Sequence, residues 1–148
     1  MRSLRRLALL PALLLLAFAA GGCNDDSPSE SPAPTPTPPP RTTETFNGTF
    51  TQNGSASHEF TVVQAGDVEL KLTAMAPLAT LAVGMGIGRV DSTVTPPCVT
   101  FAEDTNVRVN ETLLSGSLAA GTYCVKVRDT GNVFPDVTVA YTVTVTHP

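Results

Sequence analysis

The chain has 148 residues, with 13 acidic against 9 basic side chains, 42% hydrophobic residues, 13 prolines and no tryptophan. That length holds one ordinary domain. A net charge of -4 with no basic cluster repels phosphate backbones, which argues against nucleic acid as a partner.

Residues 1–22 read as an export signal. Arg2, Arg5 and Arg6 form a basic start, Leu7 to Ala20 an apolar core, and small residues precede Cys23. Fourteen apolar residues fall short of the roughly twenty helical positions that cross a bilayer. The segment is therefore expected to be cut away. Ala20-Gly21-Gly22-Cys23 resembles the lipobox of bacterial lipoproteins, although the usual Leu three places before the cysteine is here Ala20. The resemblance implies that the Cys23 thiol is acylated, so that the protein is extracytoplasmic and lipid-anchored to a bacterial membrane, at the periplasm or the cell surface. Cleavage after Ala17-Phe18-Ala19 is the alternative and would leave Cys23 a free thiol; Arg5-Arg6 as a twin-arginine signal fits its surroundings poorly.

Cysteine parity points the same way. Cys23, Cys98 and Cys124 are three, an odd number that leaves one unpaired in an exported protein. Acylation of Cys23 leaves Cys98 and Cys124 to form a disulfide in an oxidising compartment.

Residues 23–43 are rich in Pro, Ser and Thr, with Pro28, Pro32, Pro34, Pro36, Pro38, Pro39 and Pro40 closely spaced. Such a run buries no core and favours extended polyproline-like backbone, a spacer of about 3 Å per residue. It reads either as a tether or as a tolerated disordered tail.

Residues 44–148 carry ten acids against five bases and are expected to form one all-β domain. Phe60 and Val62 alternate with Thr61 and Val63. After Gln64-Ala65-Gly66-Asp67, the apolar set is Val68, Leu70 and Leu72. Leu81, Val83, Met85 and Ile87 point one way, with Ala82, Gly84, Gly86 and Gly88 on the other. Tyr123, Val125 and Val127 alternate with Cys124, Lys126 and Arg128. In the last run Val137, Val139, Tyr141, Val143 and Val145 face inward and Thr138, Ala140, Thr142, Thr144 and Thr146 outward. Period-two alternation between turn signals marks half-buried strands. With further strands at 44–51, 98–103 and between Val107 and Leu118, seven to nine strands make an antiparallel sandwich.

Phase extends the cysteine argument. If Val99 and Phe101 are the inward pair, Cys98 is outward, as is Cys124. The two are then expected to bridge neighbouring strands on an exposed sheet face, at a non-hydrogen-bonded pair with a Cα separation of about 4.5 to 5.5 Å.

Leu113-Leu114-Ser115-Gly116-Ser117-Leu118-Ala119-Ala120-Gly121-Thr122-Tyr123-Cys124-Val125-Lys126-Val127 and Tyr141-Thr142-Val143-Thr144-Val145 resemble the closing half of the bacterial pre-peptidase C-terminal domain. Phe46-Asn47-Gly48-Thr49-Phe50 and Phe60-Thr61-Val62 are similar to its opening half. The resemblance implies a jelly-roll-like β-sandwich of the kind appended to secreted peptidases, with roles in secretion, localisation or substrate binding. It carries the fold further than the function.

No catalytic motif is present: there is no Gly-x-Ser-x-Gly elbow, His-Glu-x-x-His helix or Cys-x-x-Cys pair. His58 shares the inward phase of Phe60 and reads as a structural histidine at a strand start; His147 adjoins Pro148. Gly84-x-Gly86-x-Gly88 lies in a strand with no helix to receive a phosphate. An enzyme is not expected, and no cofactor. Asp91, Glu103, Asp104, Asp129 and Asp136 are placed in loops, where a structural calcium ion is the alternative to plain solvation. Carbohydrate is not favoured, because Tyr123 and Tyr141 fall inward and Phe134, the one loop aromatic, is expected to cap the core. The outward stripe Gly84, Gly86 and Gly88 is read either as a flat face that docks an envelope protein or as glycine beneath a larger neighbour. The Asn-x-Ser/Thr triplets at Asn47, Asn53 and Asn110 are expected to serve turns and strands. The function expected is a non-catalytic binding or scaffolding module of the envelope; a sugar- or calcium-binding accessory domain and a passive structural lipoprotein are the alternatives.

Overall fold

The computed structural model describes Thr37 and residues 39–148, apart from the side chain of Leu114. The expected export signal, Cys23 and most of the expected proline-rich tether lie outside the described residues. One compact unit runs from Thr37 to Pro148, and its first strand begins two residues ahead of the expected boundary at Glu44.

Eight strands follow in order: β1 (Thr42–Phe50), β2 (Ser55–Val62), β3 (Gly66–Ala76), β4 (Val83–Arg89), β5 (Val99–Val107), β6 (Thr112–Leu118), β7 (Gly121–Arg128) and β8 (Val139–His147). They form two four-stranded antiparallel sheets, ordered β1-β8-β3-β6 and β2-β7-β4-β5. Apart from β4 and β5, which pair directly, successive strands alternate between the sheets in the manner of a jelly roll. Each sheet turns one apolar face inward, because only stacking two such faces removes both from water.

The core is largely the set that the alternation selects. Val68, Leu70, Leu72, Val83, Met85, Ile87, Val125, Val127, Val139, Val143 and Val145 are all fully buried. Burying one such side chain contributes about 1.5 to 3 kcal/mol. A β-bulge in β3 between Leu72 and Ala74 changes the phase that strict alternation would continue. Thr73 then bonds the Thr142 carbonyl at 3.1 Å, and Met75 rather than Ala74 or Ala76 enters the core.

Strand direction gives the sandwich two different ends. At one end the chain enters β1, β8 finishes, and residues 63–65, 90–98 and 119–120 make the connections. Arg41 Nη2 donates there to the Asp67 and Thr146 carbonyls, each at 3.2 Å. Val63 N donates to the Pro148 carbonyl at 3.3 Å. The opposite end carries the connections 51–54, 77–82, 108–111 and 129–138.

Candidate functional site

Cys98 and Cys124 are joined, with sulfurs 2.09 Å and Cα atoms 5.8 Å apart. Their setting corrects the expectation of an exposed cross-strand pair, since the two residues are 1% and 0% exposed. Cys98 precedes β5, and the register partners of Cys124 are Glu59 on β2 and Gly88 on β4. Val99 and Phe101 are not core residues either, at 48% and 52% exposed. They stand on the edge strand of their sheet, where no further strand covers them.

Of the two readings of the glycine stripe, the packed one fits the structure. Gly84, Gly86 and Gly88 are buried, Gly86 and Gly88 because β5 presses its backbone onto them. A Cβ on Gly86 would lie 2.8 Å from the Ala102 carbonyl oxygen, and one on Gly88 would collide with the Val99 carbonyl. Over Gly84 lies the ion pair of Arg128 with Glu103. The stripe is a packing device for close backbone approach, not an open face.

Both histidines are held by neighbours. His58 Nε2 and the Tyr141 hydroxyl share a hydrogen bond of 2.9 Å, and the imidazole stacks on Phe46 at 5.1 Å between centroids. Burial lowers the His58 pKa and pushes the Tyr141 hydroxyl up to about 12. His147, 4% exposed, has Nε2 2.9 Å from Glu44 Oε1 and packs against Phe60.

The acids split into separate local roles. Glu103 and Asp104 lie on β5 rather than in a loop. Asp91 accepts from the Thr93 hydroxyl at 2.6 Å and its amide at 2.8 Å, bonds that hold its carboxyl below the usual range. Asp104 accepts from Asn106 N at 2.8 Å. Among the described residues no three His, Cys, Asp or Glu side chains gather as metal ligands.

Asp129 organises the loop end. It is 6% exposed, and its Oδ1 accepts from the amides of Gly131, Asn132 and Val133 at 2.9, 2.9 and 3.1 Å. Oδ2 accepts from Asn53 N at 2.8 Å. Burial raises its pKa, but the four amide bonds outweigh that and hold the carboxyl below the usual range. Asn53 and Asn110 take positive φ in their turns, and Asn47 Oδ1 accepts from Thr142 at 2.7 Å, so all three triplet asparagines serve turns or strands.

On this brace sits a cleft of about 410 Å³, lined by Leu78, Thr80, Leu81, Ala82, Asn106, Arg108, Asn132 and Phe134. Phe134 does not cap the core; it is 66% exposed, while its neighbour Val133 is the buried anchor at 2%. Arg108 Nη1 donates to the Thr80 carbonyl at 3.1 Å. Asn132 Nδ2 donates to the Ala82 carbonyl at 3.1 Å and the Thr130 hydroxyl at 2.9 Å. Among the described residues, the acid–base pairs within bonding distance are Arg128 with Glu103 and His147 with Glu44, so Arg108 carries its charge into the cleft unpaired. The loop position of Phe134 was legible from Asn132-Val133-Phe134-Pro135. Arg108 and Asn106 had no local signal, because their meeting with Phe134 depends on how three connections converge.

Comparison with known proteins finds no family model that matches the chain and no curated protein that matches it.

Proposed function

We propose that the protein is an exported, non-catalytic binding module of the bacterial envelope, anchored through an acylated Cys23 and built on a sandwich of the pre-peptidase C-terminal type. The observation that carries this reading is the polarity of the sandwich. The chain enters at one end, and a braced set of loops with a cleft occupies the other. A tether of some twenty residues at about 3 Å each would then present the loop end outward. The cysteine arithmetic supports the anchor, since Cys98 and Cys124 are used by each other and Cys23 is left over. Both histidines are engaged in packing and hydrogen bonds, which supports a role without general acid–base chemistry.

Intact-mass analysis of protein extracted from membranes tests the anchor. The expected mass begins at Cys23 and includes acyl groups. A product retaining Met1, or one cleaved after Ala19 with a free Cys23 thiol, overturns it. Cross-linking from the loop end in intact cells tests the module; capture of nothing specific would favour a passive structural lipoprotein.

A further inference from the structure

We infer that the loop-end cleft binds an acidic saccharide, a pyranose unit that bears a carboxylate. This rests on the binding-module reading and adds the class of ligand.

Phe134 supplies the platform. A large ring left 66% exposed is of interest because its loop is rigid: Val133 is buried beneath it, and the preceding amides are tied to Asp129. The ring is thus held in place before a ligand arrives, so little conformational freedom is lost on binding. The C–H face of a pyranose is flat and apolar and suits the electron-rich face of an aromatic ring.

Arg108 supplies the charge. Of the five N–H donors of a guanidinium, one is spent on the Thr80 carbonyl, which fixes the side chain without neutralising it. The remaining fork matches a carboxylate in a bidentate pair. Asn132 spends its Nδ2 donors on Ala82 and Thr130, so its Oδ1 acceptor is left for a sugar hydroxyl. Asn106 also lines the cleft.

The test is calorimetric titration of the full protein with oligogalacturonate and with a neutral cello-oligosaccharide of equal length. Binding of the acidic oligomer alone is expected, weakening as salt is raised. Arg108→Ala should lower its affinity roughly tenfold to a hundredfold, as loss of a charged hydrogen-bonding partner does. Phe134→Ala should lower it by about tenfold, Arg108→Lys by less than Arg108→Ala, and Asp91→Asn at the opposite end not at all. All three positions lie outside the core, and unchanged melting curves verify folding. Equal binding of the neutral oligomer, no binding of the acidic one, or affinity untouched by Arg108→Ala and Phe134→Ala overturns the inference. A photo-cross-linker at position 134 in intact cells separates the two levels. Specific capture of a protein, with no saccharide bound, sinks the ligand class and leaves the module; no capture and no saccharide sinks both.

Discussion

The outer faces of the two sheets are written in the same period-two pattern, yet the β1–β8 face meets water while the β4 stripe of the other sheet is roofed by its own chain. On the β1-β8-β3-β6 sheet, Thr43, Thr45 and Asn47 of β1 stand opposite Thr146, Thr144 and Thr142 of β8, partly or fully exposed. They bond sideways, as Thr43 does with Thr146 at 2.9 Å. On the β2-β7-β4-β5 sheet, outward Glu59 and Thr61 of β2 are exposed and Lys126 and Arg128 of β7 half-buried, but Gly84, Gly86 and Gly88 of β4 and Cys124 of β7, also outward, are buried. β5 departs from regular register with β4 at two places and closes over the glycines, and the Cys98–Cys124 bond and the Arg128–Glu103 pair fasten that side. An outward phase therefore specifies direction only. Exposure depends on what the rest of the chain lays on top.

The sharpest way to break this contrast is to put a side chain under β5. Gly88→Val should destabilise the domain by about 3 kcal/mol or more, since overpacking that displaces backbone lies at the upper end of such costs. Denaturant melts would show it as failure to fold or a much lower midpoint. If Gly88→Val melted like the parent, β5 would not cover that position.

Reducing the disulfide comes next. It closes a loop across a sequence separation of 26, worth about 3 kcal/mol on the chain-entropy estimate. Melting with and without reductant measures the loss. Because both sulfurs belong to buried residues, thiol labelling should be negative in native protein and in denaturant without reductant, and positive only after reduction in denaturant. Labelling located at Cys98 or Cys124 before reduction would mean that the bond is absent.

The loop end can be loosened separately. Asp129→Ala strands four amides and should cost about 1 to 3 kcal/mol, with faster amide exchange at Gly131 to Val133 as the local readout. The folded carboxyl titrates below its ordinary value, so its contribution is present above about pH 4 and is lost as pH falls through the lowered value. The parent should lose more stability than Asp129→Asn over that window; parallel pH profiles would contradict the role.

Two smaller effects sharpen the comparison. Because burial lowers the His58 pKa, the unfolded chain takes up the proton first. Stability should be full above about pH 6.5 and decline as pH falls below it, and His58→Gln should flatten that part of the profile. An unchanged slope would remove His58 as its source. On the open face, Thr144→Val should shift stability by no more than about 0.5 kcal/mol. A large loss there would show that the threonine face is covered after all.

Much of the core was legible because side-chain direction in a strand repeats every second residue, so Val68-Leu70-Leu72 and Val139-Tyr141-Val143-Val145 declare their inner face locally. The pairing of Cys98 with Cys124 was legible by parity, but its burial was not, since phase cannot reveal that β5 folds over its neighbour. Phe101 failed for the related reason that an inward phase on an edge strand need not meet an opposing layer. Phe134 failed because whether a loop aromatic turns in or out depends on which neighbour anchors the loop, and that neighbour is Val133.

Taken alone, the amino-acid order determined most of the strands, the inner faces of all but the edge strand β5 and the bulged end of β3, and the antiparallel sandwich, since these follow from a periodicity carried by adjacent residues. Tertiary structure alone decided the roof over Gly84, Gly86 and Gly88, the brace around Asp129, and the meeting of Arg108, Asn132 and Phe134 in one cleft. Those features join residues far apart in the chain, and such contacts are set by how the two sheets and their connections pack, which no local pattern records.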